Sequence, residues 1–463
     1  MTDTTTQATE LLITDGNLIC WGTENRILTN HAILIRGGVI AEIGPQHDLE
    51  SRYRLTPRLS AHGQWVMPGN ICAHTHFYGA YARGMAIPGP APEDFPAILK
   101  RLWWPLDKAL DRDAVRSSAL VCLVDAIKHG TTTLIDHHAS PNAIDGSLDI
   151  IADAVDSAGL RAVLCYEVTD RDGMEKMHAG IAENIRFLRD NRRSQVRGTF
   201  GLHASLTLND ESLRACADAR PDGIGFHVHV AEHEADELDS LGRSGMRVVN
   251  RLHDYGIWGG KTIAAHCVHI NESERAILRD SGTWITHQPR SNMNNAVGAM
   301  LFDDMMAEQM PICLGNDGFS NAMWVEWKTA YLLHKLVNRD PRRANGMDIV
   351  KMAVHNNAPV HNNARLTEQF FPELRFGELS VGAAADIILV DYHPYTPLSE
   401  GNLPWHILFG FEPSMVTGTM VAGKLLMRDR QLLTLDEAEI AREALALAPA
   451  VWDRYARFAA QVD

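Results

Sequence analysis

The sequence predicts an α/β protein: a (β/α)8 barrel with a small β-sandwich assembled from the two ends of the chain. Three observations lead there. Between residues 67 and 375, eight short β-rich runs alternate with longer stretches of helical periodicity, as expected of parallel strands joined by helical crossovers. Before residue 67 and after residue 375, short strands sit between turn signals. At 463 residues the chain is long enough for one large barrel and a smaller companion.

In the first segment, 1–66, the start "MTDTTTQATE" has neither a basic stretch nor an apolar core, so it reads as a frayed tail and not a signal peptide. "LLITDGNLIC", "HAILIRGGVIAEIG" and "WVM" read as strands, with hairpin-type turns at Asp15-Gly16 and Gly37-Gly38. The barrel segment holds "NICAHTH", "TTTLIDHH", "RAVLCYEV", "RGTFGLHAS", "GFHVHVAE", "TIAAHCV", "TWITHQP" and "PICLGND". Between them lie candidate helices such as "DAVRSSALVCLVDAIKHG", "IIADAVDSAG" and "NESERAILRDSG", each ending at glycine as helices often do. In the last segment, 376–463, "ADIILVDYH" and "MVTGTMVAGKLLMRDR" read as strands. An amphipathic helix interrupted by Pro449 closes the chain. Neither terminal segment holds enough strands for its own core, so the two are expected to combine into one sandwich.

Composition narrows the partners. Lys plus Arg is 43 and Asp plus Glu is 58, a formal charge of −15, which argues against nucleic acid and anionic membranes. No run of about 18 apolar residues is present, so no transmembrane helix is expected. The seven cysteines are scattered with no C-x-x-C, and read as reduced core thiols of a cytoplasmic protein. A homo-oligomer, dimer or larger, is expected.

The chemistry lies in what ends each barrel run. An isolated H-x-H on a strand, such as His74 and His76, reads first as two hydrogen-bonded core histidines. Here run two ends in Asp136, His137 and His138, and run four carries His203. Run five carries His227 and His229, followed by Glu232, and runs six, seven and eight end in His266, His287 and Asp317. Independent core histidines would not gather at the same end of their strands, which in this fold is the catalytic end. His74, His76, His229 and Asp317 can supply three imidazoles and a carboxylate to Zn²⁺, or to Fe²⁺, with a position left for water. Such an ion brings the pKa of water toward neutrality. Glu232 is placed to manage its proton, and His266 to orient it and stabilise an oxyanion.

These stretches, with "VMPG", "AHC", "PRSN", "DG" and the C-terminal "GELSVGAAADIILVD" and "VAGKLLMRDR", resemble the metal-dependent amidohydrolase superfamily over essentially the whole chain. They are most similar to its cytosine, guanine and S-adenosylhomocysteine deaminase and triazine-hydrolase branch, and "HFYGAYARGM", "LWWPLDKAL", "LIDHHASP" and "PRSNMNNAVG" resemble the SsnA-like aminohydrolases. The resemblance implies His74, His76, His229 and Asp317 as metal ligands, Glu232 and Asp317 as proton carriers, and His266 on the water and tetrahedral intermediate. "LGNDG" departs from it, with Asn316 where threonine is common. Run four lacks the lysine that bridges two ions in binuclear members, so one ion per chain is expected. The family pattern makes His203 a substrate contact, against a structural role for a lone strand histidine. For the other candidates both readings stand: His137 and His138 as pocket wall or support, Trp103 and Trp104 as stacking surface or core, Arg83 as reader of a polar or anionic group or as surface charge, Asn292, Tyr78 and Tyr81 as contacts or packing.

The function expected is hydrolytic deamination of a small aminated nitrogen heterocycle of purine, pterin or pyrimidine type. The rivals are hydrolysis of a cyclic amide, urea or C–Cl bond on the same scaffold, and a non-catalytic scaffold protein, which loss of ligands would signal.

Overall fold

The computed structural model describes residues 10–22, 25–354 and 362–461, so residues 1–9 of the expected tail lie outside the described residues, while its last residue, Glu10, begins a strand. The first segment forms β1 (Glu10–Ile19), β2 (Ile27–Arg36), β3 (Val39–Pro45), β4 (Arg58–Ser60) and β5 (Trp65–Pro68). Gly37 and Gly38, both at positive φ, make the β2–β3 hairpin turn. Asp15-Gly16 is no hairpin turn. It is a bulge inside β1, with Asp15 at φ 57° and the register against β2 slipping on either side of Gly16. The strand pairs with β2 through both halves, so the extra residue is absorbed without reversing the chain.

The middle segment supplies β6 (Asn70–Thr75), β7 (Thr131–His138), β8 (Arg161–Tyr166), β9 (Val196–Gly198), β10 (Phe200–Ala204), β11 (Phe226–Val230), β12 (Ile263–His266), β13 (Trp284–His287) and β14 (Ile312–Leu314). Every residue of these strands except two in β9 is buried, because helices cover the outside and side chains fill the inside. Run four is split at Thr199: β9 pairs with β8, and β10 pairs with β11, all parallel. The eight strand positions close into a ring. Val168 bridges Leu202 on one side and Thr75 bridges Asp317 on the other. At the second seam Asn316 N and Asp317 N donate to His74 O at 3.0 and 3.1 Å, and His76 N donates to Asp317 O at 3.0 Å. Gly315 permits this approach, since a Cβ there would stand 2.6 Å from His74 O.

The expected helices form. Arg112–Lys128 is capped by Asp111, Ser147–Ala158 ends at Gly159 with φ 79°, and Glu272–Asp280 starts from a capping box of Asn271 and Glu274. The last segment gives β15 (Ile387–Val390), β16 (Val416–Val421), β17 (Lys424–Arg428) and β18 (Gln431–Leu432). These join β1–β5 in one nine-stranded sheet, through antiparallel pairing of β15 with β5. The sheet bends until the β2–β3 turn meets the chain before β15, where Ala385 N donates to Gly38 O at 2.9 Å. Ile13, Ile33, Ile35, Ile387 and Met420 fill its core. Pro449 does not interrupt the final helix, which runs unbroken from Glu437 to Ala459. Its second half is held from outside: Trp452 Nε1 donates to Tyr81 O, Arg454 Nε to Ala109 O and Tyr455 Oη to Arg101 O. Those contacts outweigh the one backbone bond that proline forfeits.

Candidate active site

The catalytic-end positions of the ring converge as the strand period requires. His74 and His76 of β6 point inward with ring centroids 4.8 Å apart. His229 of β11 brings Nε2 to 3.2 Å from His76 Nε2. Asp317, just past β14 and at φ 57°, places Oδ1 2.9 Å from His76 Nε2 and 3.3 Å from His74 Nε2. Each imidazole is turned by a partner on its other nitrogen. His76 Nδ1 donates to His137 O at 2.6 Å, His229 Nδ1 to His203 O at 2.9 Å, and His74 Nδ1 lies 2.8 Å from His227 Nε2. The Nε2 atoms of His76 and His229 therefore face each other, and His74 Nε2 is buried with no hydrogen bond among the described residues. Three imidazole nitrogens and a carboxylate crowded this way suit a divalent cation.

The electrostatics divide the imidazoles. Burial holds His229 well below the usual imidazole range and takes His74 down to about 3, leaving both neutral. At His76 burial is outweighed by the facing Asp317 carboxylate, which raises it to about 9, a proton that a bound cation would displace. Burial alone would raise the Asp317 carboxyl, but the imidazoles of His74 and His76 outweigh it and keep it ionised. Ser291 Oγ donates to its Oδ2.

Glu232 and His266 stand beside this group. His266 Nδ1 is 2.9 Å from Asn292 Oδ1, and its Nε2 is 3.4 Å from Glu232 Oε2. Burial pushes Glu232 up to about 7, against the pull of His266, and Asn295 Nδ2 reaches its Oε1 at 3.4 Å. Glu232, His76, His229 and Asp317 open onto a cavity of about 250 Å³, with Tyr78, Trp103, Trp104 and His203 in its walls. Trp103 ends a π-helical turn, Leu99–Trp103, and Trp104 begins the next helix.

Other expected positions fall elsewhere. Arg83 is exposed and outside the cavity lining, because the turn Phe77–Ala82 carries the chain away from the ring mouth. Asn292 is fully buried behind His266, so it reaches the cavity only through that ring. His137 stacks on His227 at 4.5 Å and lies 3.2 Å from Glu167 Oε2; its ring also stands close to His74, His76 and His229, with which it could share a metal ion. His138 is tied to Ser140, and Tyr81 to Ser117. Sequence reasoning passed over Glu167, Arg171, Ser291 and Asn295. Glu167 ends run three and obeys the same strand-end rule as the histidines. Ser291 lies in "PRSN", and Asn295 is one helical turn beyond it. Nothing in the sequence marks Arg171.

With this geometry in place, comparison with known proteins settles the family. The amidohydrolase family model matches residues 65–426. The chain belongs to the amidohydrolase family. This amidohydrolase is 32% identical over 421 residues to a 5'-deoxyadenosine deaminase of Methanosarcina mazei, covering 89% of this chain and 91% of that one. It is 29% identical over 450 residues to a 5-methylthioadenosine/S-adenosylhomocysteine deaminase of Syntrophobacter fumaroxidans, covering 93% and 96%. Its fold matches a zinc-bound adenosine deaminase from Xanthomonas campestris with a TM-score of 0.79, at 23% identity over 97% of this chain and 99% of that chain. It also matches a zinc complex of atrazine chlorohydrolase from Arthrobacter aurescens TC1 with a TM-score of 0.78, at 20% identity over 95% and 100%. Among the described residues no helix is long and apolar enough to cross a membrane, and all seven cysteines are buried and free.

Proposed function

We propose that this amidohydrolase deaminates a small aminated nitrogen heterocycle, of purine, pterin or pyrimidine type, with one divalent ion per chain held by His74, His76, His229 and Asp317. Zn²⁺ suits the donor set best, and Fe²⁺ also fits it. The observation that carries this reading is the meeting of those four side chains beside Glu232 and His266 at one mouth of the ring, where His76, His229, Asp317 and Glu232 face a single cavity. The ion supplies Lewis acidity that brings a water's pKa toward neutrality. Glu232, near-neutral in pKa and buried, takes a proton from that water and delivers it to the ring nitrogen beside the attacked carbon. His266, its Nδ1 fixed by Asn292, turns Nε2 to the oxygen that adds to the carbon. Asp317 Oδ2, steadied by Ser291, relays a proton to the departing amine. The C–N bond breaks, ammonia leaves and an oxo product remains.

The named deaminase relatives support this reaction class, and Trp103, Trp104 and Tyr78 support a planar ring. A cavity of about 250 Å³ lies just under the range of roughly 300–1,000 Å³ usual for drug-sized ligands, which favours a bare heterocycle. We place the catalytic barrel at 67–375, with 1–66 and 376–463 as its companion, in a cytoplasmic homo-oligomer whose size sedimentation will give. The deciding experiment incubates zinc-loaded protein with aminopurines, aminopterins and aminopyrimidines. Stoichiometric ammonia with loss of substrate is expected. Chloride or ring-opened acids from other panels, with no ammonia from any aminoheterocycle, would overturn it.

A further inference from the structure

We infer that Arg171 reads a neutral ring oxygen, so that the heterocycle bound here carries an oxo group in addition to its scissile amino group. This deepens the deaminase reading and rests on it. Arg171 follows β8, the third strand of the ring, and lines the same cavity as His203 and Glu232. Its side chain is 8% exposed. Nη2 donates to Asp107 Oδ2, Nε lies 3.4 Å from Asp172 Oδ2, and the Trp104 ring stands 5.4 Å from Cζ, so the guanidinium is fixed in place. Its remaining nitrogen, Nη1, is buried and has no hydrogen-bond partner among the described residues. A buried donor left unpaired is costly, and one held rigidly in a cavity wall is an address for a ligand.

Two features define that ligand. A guanidinium only donates, so its partner must be an acceptor. The charges around Arg171 leave no surplus cation: Arg171 and Lys108 face Asp107 and Asp172, with Lys108 Nζ 2.8 Å from Asp172 Oδ1, and Glu167 acts on the same guanidinium. The other cation of the cavity lining, Lys100, is exposed. At Arg171 no net positive charge is left over for a phosphate or carboxylate, and a neutral oxo oxygen fits instead.

The test uses pairs that differ by one oxo group: guanine against 2-aminopurine, isoguanine against adenine, and pterin against 2-aminopteridine. Binding is measured by calorimetry on zinc-loaded Glu232→Gln protein, so that affinity is read without turnover. At least one oxo-bearing member should bind about tenfold tighter than its partner, the scale of one buried hydrogen bond. Adding Arg171→Gln should bring that ratio to about one while leaving the oxo-free member and the zinc content unchanged. Because Arg171→Gln strands the buried Asp107, Asp107→Asn/Arg171→Gln removes both charges together and serves if the single change does not fold. The inference falls if no pair shows the preference, if the preference survives loss of Arg171, or if 5'-deoxyadenosine binding weakens as much as that of the oxo heterocycle, since the donor would then serve a sugar hydroxyl. Oxo preference that depends on Arg171, without ammonia release from any substrate by the unmutated protein, would overturn the deaminase reading and leave this one standing.

Discussion

Asp317 is proposed to act both as ligand and as proton carrier, and Glu232 as proton carrier alone, so substitution can separate these roles. Asp317→Ala should reduce ammonia release to background and strip the ion, read by elemental analysis, because a charged ligand and a relay leave together. The unmutated protein should hold about one tightly bound divalent ion per chain. Glu232→Gln should keep the ion and lose roughly 10²–10⁴-fold in turnover, the usual range for general acid–base catalysis. A variant that loses its ion with the carboxylate would make Glu232 a ligand. The gathering of His74, His76, His229 and Asp317 was legible in the sequence because a strand's period of two and a barrel's single active end leave little freedom for a residue that closes a run. Arg83 and Asn292 were not, because a loop residue's direction depends on the turn that precedes it. Arg171 was invisible for the same reason, its partners Asp107 and Asp172 being brought together only by folding.

Elements, not single residues, decide how the support behind the site responds to pH. The helices Glu234–Ser244 and Glu272–Asp280 meet at Arg247, which reaches Glu237 Oε1 at 3.0 Å and Glu274 Oε2 at 2.6 Å. Burial, then the neighbouring Glu274, pushes Glu237 up to about 8. A carboxyl raised in the folded state keeps its proton after the unfolded chain has released its own. Stability therefore falls as pH climbs from the ordinary carboxyl range, about 4.3, toward about 8. Glu237→Gln keeps an oxygen for Val248 N and has nothing to titrate. Its melting temperature relative to the unmutated protein should rise steadily between pH 5 and pH 8, a range spanning most of that window. A flat difference would show that Arg247 already neutralises the pair. Strand positions were readable to within about four residues, since buried β-rich runs bounded by turns have few alternatives. The bulge at Asp15-Gly16 and the continuity through Pro449 were not, because both are settled by neighbours distant in sequence: β2 for the first, Tyr81, Arg101 and Ala109 for the second.

Across the whole molecule, the sheet is fastened to the barrel by a buried pair. Arg161 of β8 reaches both oxygens of Asp386, just before β15, at 3.1 and 3.3 Å, while its guanidinium lies 5.0 Å from the rings of Phe371 and Phe376. Asp386→Ala should cost about 3–5 kcal/mol, the toll of stranding a buried charge, measured by urea denaturation of the zinc-loaded protein. Loss of under about 1 kcal/mol would mean the aromatic rings alone hold Arg161. That the two chain ends meet was legible from their shared poverty of core, but not that they form one continuous sheet, which needs the pairing of β5 with β15. The second ring seam has a consequence for how the protein is made. Thr75 and Asp317 are 242 residues apart, and the backbone bonds between them set His74 and His76 against Asp317. A chain leaving the ribosome therefore exposes the first three of the proposed ligands long before the fourth, and β5 likewise waits for β15. Ion capture at the proposed site would then signal completion: a nascent or truncated chain ending before residue 317 has histidines but no closed cup, and only a finished barrel would be armed.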